Sequence, residues 1–170
     1  MAEIKGMQKL MRTLDSLGGN VVEELKIAVE LATLQAASDA RMLAPSNKYG
    51  QSYGSGAVSL SGSITEEYED NGSEYIGHVV TNAPHAAYVE FGTGPVGAAN
   101  HAGTSPEVQV SYTSREKWAY PYQDKDGLQF ATTSGQPARP YLYPAAKQNE
   151  KVFAQLGREA LQEAIARSSK

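Results

Sequence analysis

Ser52 lies in Gly50-Gln51-Ser52-Tyr53-Gly54, which has the G-x-S-x-G spacing of a nucleophile elbow. In a serine hydrolase that spacing works because a strained strand-to-helix turn lifts the hydroxyl toward a histidine base. The flanks here are Pro45-Ser46-Asn47-Lys48 and Gly54-Ser55-Gly56, hardly a buried strand and a helix, so the run reads as a flexible loop. Gly92-Thr93-Gly94-Pro95-Val96-Gly97 matches G-x-G-x-x-G, where glycines let a pyrophosphate approach a helix N-terminus. Pro95 removes a backbone donor, and Gly103 and Pro106 leave no room for the helix that must follow, so a turn is expected. His78, His85 and His101 show neither H-E-x-x-H nor a pair one helical turn apart, and the chain has no cysteine. No metal or other cofactor is expected, and the absence of thiols excludes disulfides and thiol nucleophiles. Asn71-Gly72-Ser73 fits the glycosylation triplet but, without a secretory signal, reads as a turn.

The least random stretch is Gly135-Gln136-Pro137-Ala138-Arg139-Pro140-Tyr141-Leu142-Tyr143-Pro144-Ala145. Each proline fixes its own φ and pushes the residue before it into an extended conformation, which makes the segment a stiff strut entering a last helix. In an extended strut Arg139, Tyr141 and Tyr143 share one side and Ala138 and Leu142 the other, so one side packs and the other presents. Glu90, between Val89 and Phe91, is a charge on an apolar strip, as is Arg139 between Ala138 and Pro140. A two-pronged salt bridge between Glu90 and Arg139 is the expected tie from strut to sheet.

The elements that position these residues follow from periodicity. Ile4, Met7, Leu10, Met11, Leu14 and Leu17 recur at helical spacing before Gly18-Gly19-Asn20. A second helix is predicted from about Val21 to Leu43, ended by Ala44-Pro45, with Val22, Leu25, Val29, Ala32, Ala36, Ala40 and Leu43 as its core stripe. Ile27, Leu31 and Leu34 project from the opposite side, so that helix has two apolar faces; the first helix could cover the second face, which is otherwise a candidate subunit interface. A long loop is predicted over 46–63, then a hairpin of Ile64–Asp70 and Tyr75–Thr81 around Asn71-Gly72. Ala86 to Phe91 reads as a strand or a helical turn, 92–106 as loop, and Val108 to Thr113 as a short strand. Trp118–Tyr122 and Leu128–Thr132 flank a reversal at Asp126-Gly127. A last helix opens near Pro144 and runs to about Arg167, with Val152, Phe153, Leu156, Ala160 and Ala164 on its core face.

The 170 residues suit a single domain, 1–170, of the α+β class: N-terminal helices and a C-terminal helix packed on a small antiparallel sheet with long loops. A net charge of -4 makes nucleic acid a poor partner, and no stretch is apolar enough to span a membrane. The chain is therefore expected in the cytoplasm unless a partner moves it.

Two segments together carry a resemblance. Tyr88-Val89-Glu90-Phe91-Gly92-Thr93-Gly94, followed by Gln136 to Ala145 and a C-terminal helix, resembles the minor head-tail joining (neck or tail-completion) proteins of long-tailed bacteriophages. The Ala44-Pro45 at a helix end and the Leu60 to Ile64 run that opens the sheet are similar too, although the intervening loop and the stretch from Thr93 to Trp118 are longer than in the family. The resemblance implies a structural, non-catalytic ring component, a homo-oligomer and by family habit a hexamer. It would sit at the head-tail junction of the virion after assembly in the host cytoplasm, touching the tail terminator or tail tube protein and head-side connector proteins. Tyr88, Glu90, Phe91, Gln136, Arg139, Tyr141 and Tyr143 are the motif residues it singles out. The rival readings are a serine hydrolase using Ser52 and, within the same class, the tail terminator itself.

Overall fold

The computed structural model describes residues 19–45 and 59–168. The expected first helix, most of the long loop and Ser52 lie outside the described residues. In chain order the elements are α1 (Gly19–Leu43), β1 (Ile64–Asp70), β2 (Tyr75–Thr81), α2 (Ala86–Phe91), α3 (Gly94–Ala99), β3 (Trp118–Asp124), β4 (Gly127–Thr133) and α4 (Leu142–Ser168), with a single 3-10 turn at Ser61–Ser63. The fold is α+β, as composition and order imply.

α1 and α4 are the backbone of the molecule and run antiparallel. Val21 packs on Ala164 at one end, and Asp39 meets Asn149 at the other. Near that second end a core forms around the ring of Tyr141, with Ala37, Ala40 and Ala44 of the α1 end, Ala83 and Ala86 of the α2 entry, and Ala145 of α4. Leu60, Ile64 and Val89 complete it. Alanines let three helices approach one large ring closely, so a single aromatic fills the centre of this core. The buried stripe of α1 keeps Ala36 and Ala40 of the expected one but is otherwise shifted: Val21, Ala28 and Ala37 are buried, whereas Leu43 is exposed. On α4, Val152 is likewise exposed and Asn149 takes the buried position.

The strands form two separate antiparallel hairpins rather than one sheet. In β1–β2 the register runs from Ile64 opposite Thr81 to Asp70 opposite Tyr75. Its turn is built by side chains: Asn71 Oδ1 accepts from the Ser73 and Glu74 amides, and Asp70 Oδ1 accepts from the amide of Gly72, whose φ is 81°. This is the Asx-turn chemistry that the Asn-Gly pair signalled. One face of β1–β2 lies on α1, fastened by Arg41 donating to the Ile64 carbonyl and Glu66, by Lys26 paired with Asp70, and by the Tyr75 hydroxyl donating to Glu30. The β3–β4 hairpin pairs Trp118 with Thr133 through Asp124 with Gly127, and stands apart from β1–β2.

Candidate functional site

The two motif segments, forty-odd residues apart in the chain, form one unit. α2 holds Tyr88, Val89, Glu90 and Phe91 on about a turn and a half of helix, its Val89 side chain sunk in the core. Gly92 then turns the chain with φ 75° and ψ -179°, a combination almost closed to residues with a Cβ. The turn brings Thr93 alongside Gln136: Thr93 N–H donates to the Gln136 carbonyl at 2.9 Å, and Gln136 N–H returns to the Thr93 carbonyl at 3.2 Å. Gln136 Nε2 also donates to the Tyr88 carbonyl at 2.7 Å, Ala138 N–H to the Asn100 carbonyl, and Arg139 N–H to the Val89 carbonyl, each at 2.8 Å for the last two. The strut is therefore laced backbone to backbone onto α2 and α3.

Glu90 closes the unit. Its side chain is buried, and its Oε2 accepts from the amides of Tyr141 at 2.7 Å and Leu142 at 3.0 Å while Oε1 accepts from Tyr143 at 3.1 Å. These are N–H groups that the first turn of α4 leaves without intrahelical partners, and they point the positive end of the helix dipole at the carboxylate. Glu90 is thus an N-cap supplied by a distant segment. The expected Glu90–Arg139 salt bridge is replaced by this cap: both carboxylate oxygens go to backbone amides, and Arg139 is fastened through its own N–H.

The expected two-sided alternation of the strut stops short of Tyr143. Tyr141 is wholly buried at the centre of the alanine cup, and Tyr143 is half-buried in the first turn of α4, because the helix starts at Leu142 and ends the two-residue alternation. Burial pushes the Tyr141 phenol far above its usual range, with the Glu90 charge adding to the effect, and its hydroxyl has no hydrogen-bond partner among the described residues. Tyr88 and Arg139 are the motif side chains left outward, with Phe91 half-buried and its carbonyl accepting from the Tyr112 hydroxyl.

Other expected sites resolve simply. The G-x-G-x-x-G run is not a bare turn: it opens the six-residue α3. It follows α2 rather than a strand, so the strand-turn-helix context of a nucleotide site is missing. The expected strand at Val108 to Thr113 does not form; Val108 and Val110 are exposed there, with no neighbouring strand to pair. Among the described residues no group of three or more His, Asp or Glu side chains could hold a metal ion, and no helix is long and apolar enough to cross a membrane. A polar pair that sequence reasoning missed sits between α1 and α4. Asn149 Nδ2 donates to Asp39 Oδ2 and to the Ala145 carbonyl, and Gln35 donates to Asp39 Oδ1 at 3.1 Å. The second apolar face of α1 is present: Ile27, Leu31 and Leu34 are 49%, 51% and 48% exposed.

A family model described as "Bacteriophage HK97-gp10, putative tail-component" matches residues 8–92, from before α1 to Gly92 within the first motif segment. The chain belongs to this family. The matched half contains α1, the β1–β2 hairpin and α2, hence Glu90 of the cap, while the strut and α4 lie beyond it. Neither curated proteins nor solved structures return a match to the chain. Membership of the HK97-gp10-like family agrees with the resemblance carried by the two motif segments, and makes the chain a phage tail component and thus part of the virion.

Proposed function

We propose that this tail-component protein is a structural subunit that assembles into a ring at the head-tail junction, completes the tail, and is needed for tails to join heads. The observation that carries the reading is the pair of opposed faces on α1, one sealed against α4 and the core, the other exposing Ile27, Leu31 and Leu34. Three large apolar side chains in a row on a surface helix, each about half exposed, forgo roughly 0.7–1.5 kcal/mol each relative to full burial, and a neighbouring subunit is their natural cover. The rest of the unit suits a scaffold and not a catalyst. The buried carboxylate of Glu90 is spent on capping a helix, and the motif residues knit backbone to backbone.

In this reading the ring is a homo-oligomer, six-fold by the resemblance, with the tail terminator or tail tube on one side and head-side connector proteins on the other. Immunogold labelling of virions with an antibody to this chain tests the placement. Gold confined to the junction supports it; gold along the tail shaft or at the distal tip overturns the position while leaving a tail component.

A further inference from the structure

The β3–β4 hairpin has a second uncovered apolar face. Its register sets Pro121 opposite Phe130 and Ala119 opposite Thr132, so Ala119, Pro121, Leu128 and Phe130 share one side. Leu128 is 62% and Phe130 69% exposed. At the base of the hairpin the Trp118 ring lies against Gly94, but no helix or other strand of the described residues lies along this apolar side. A two-stranded hairpin alone is marginal in water and needs packing on one face to persist.

We infer that this face is covered by a second copy of the chain: the hairpin of one subunit lies on the Ile27–Leu31–Leu34 stripe of the next. The inference rests on the ring reading above and specifies its contact. Three observations favour a second copy as the occupant. The first is extent: Ile27 to Leu34 spans about 10.5 Å of helix, and Leu128 to Thr132 about 13 Å of strand, so the two rows match in length. Charge is the second. Exposed Glu23 lies one helical turn before Ile27, and exposed Lys117 extends the hairpin face beyond Ala119, so each apolar row ends in the opposite sign. Area is the third, since the exposed fractions of Ile27, Leu31, Leu34, Leu128 and Phe130 leave roughly 500 Å² of apolar surface, most of the apolar part of a small specific interface of about 1,200 Å². Because the two patches are on different elements, each can engage a different neighbour, and repeated head-to-tail in that way the contact closes into a ring.

The chain has no cysteine, so single cysteines report the contact without background. Leu31→Cys and Phe130→Cys, both at exposed positions, are purified separately, checked for native circular dichroism, mixed and mildly oxidised. The expected product is a mixed disulfide dimer that neither variant forms alone, and the double variant is expected to give a covalent ladder ending at the ring. If light scattering shows assembly but the mixed disulfide is absent, or each variant pairs with itself, the contact lies elsewhere and the inference falls while the ring reading stands. A monomer at all concentrations up to about 1 mM defeats both. As an independent check, Lys117→Glu is expected to raise the concentration needed for assembly by about threefold, as for a rim ion pair, and Glu23→Lys in the same chain to restore it. Assembly indifferent to both changes overturns the proposed contact.

Discussion

The carboxylate of Glu90 accepts a hydrogen bond from the backbone amide of Tyr141, 51 residues further along the chain, at 2.7 Å. With the amides of Leu142 and Tyr143 it forms a three-donor cap that decides where α4 begins. Removing it strands buried donors, each worth about 1–3 kcal/mol when unsatisfied. Glu90→Ala is therefore expected to destabilise the fold by about 3 kcal/mol or more, a fall of roughly 6–12 °C in Tm. Glu90→Gln keeps one acceptor but turns an amide NH2 toward the donors, and about half that loss is expected. Thermal melts decide, and an unchanged Tm for Glu90→Ala contradicts the cap.

Tyr141 makes a paired test of the alanine cup. Its hydroxyl is buried without a partner among the described residues, so Tyr141→Phe removes an unsatisfied polar atom and should be neutral or stabilising by up to about 1 kcal/mol. Tyr141→Ala should lose about 3–5 kcal/mol, because the surrounding helices cannot collapse fully into the space. Chemical denaturation of the two variants separates ring from hydroxyl. A large loss in Tyr141→Phe would show that the hydroxyl is satisfied after all.

Gly92 and Gly72 both have positive φ, at 75° and 81°, but differ in surroundings. A Cβ on Gly92 would stand 2.7 Å from the Ala138 nitrogen, whereas nothing lies within 4 Å of one on Gly72. Gly72→Ala is expected to lose only the conformational term, about 1–2 kcal/mol. Gly92→Ala adds a backbone clash at the seam of the two motif segments and is expected to lose at least about 3 kcal/mol. Equal melting temperatures for the two variants would mean that the seam has room to yield.

Asp39 gives the fold an acid-sensitive seam. Hydrogen bonding from Asn149, which outweighs the opposing effect of burial, and from Gln35 and Gln148 holds its carboxyl below its ordinary value of 3.8. A depressed folded-state value means that the carboxylate contributes its full stability above pH 3.8, and that this is lost as pH falls through the lower folded value. Tm measured from about pH 6 to about pH 2 should show a steeper acid limb in the native chain than in Asp39→Asn, which keeps the shape without the charge. Parallel limbs would remove Asp39 from the acid response.

Local chemistry made part of the fold legible. Asn71-Gly72 and Asp126-Gly127 marked both reversals, Pro45 the end of α1, and 100° spacing the outer face of α1 that carries Ile27, Leu31 and Leu34. Long-range choices were not legible in the same way. Whether the two hairpins join edge to edge is decided by α1, which takes one face of β1–β2 and leaves β3–β4 apart. The apolar alternation of Val108, Val110 and Tyr112 has the period of a strand but finds no strand beside it; Tyr112 instead donates its hydroxyl to the Phe91 carbonyl. Within the site, an acidic residue between Val89 and Phe91 did signal a buried charge. Its partners were hidden because backbone amides leave no mark in a sequence, and Arg139 was the visible cation.

The central claim is that the protein is structural and joins tails to heads, and the most direct measurement is electron microscopy of a lysate made with its gene inactivated in the phage or prophage that carries it. The account predicts filled heads and separate tails, with joined, infectious particles restored when the native chain is supplied from a plasmid. Normal virions in the inactivated lysate would contradict it.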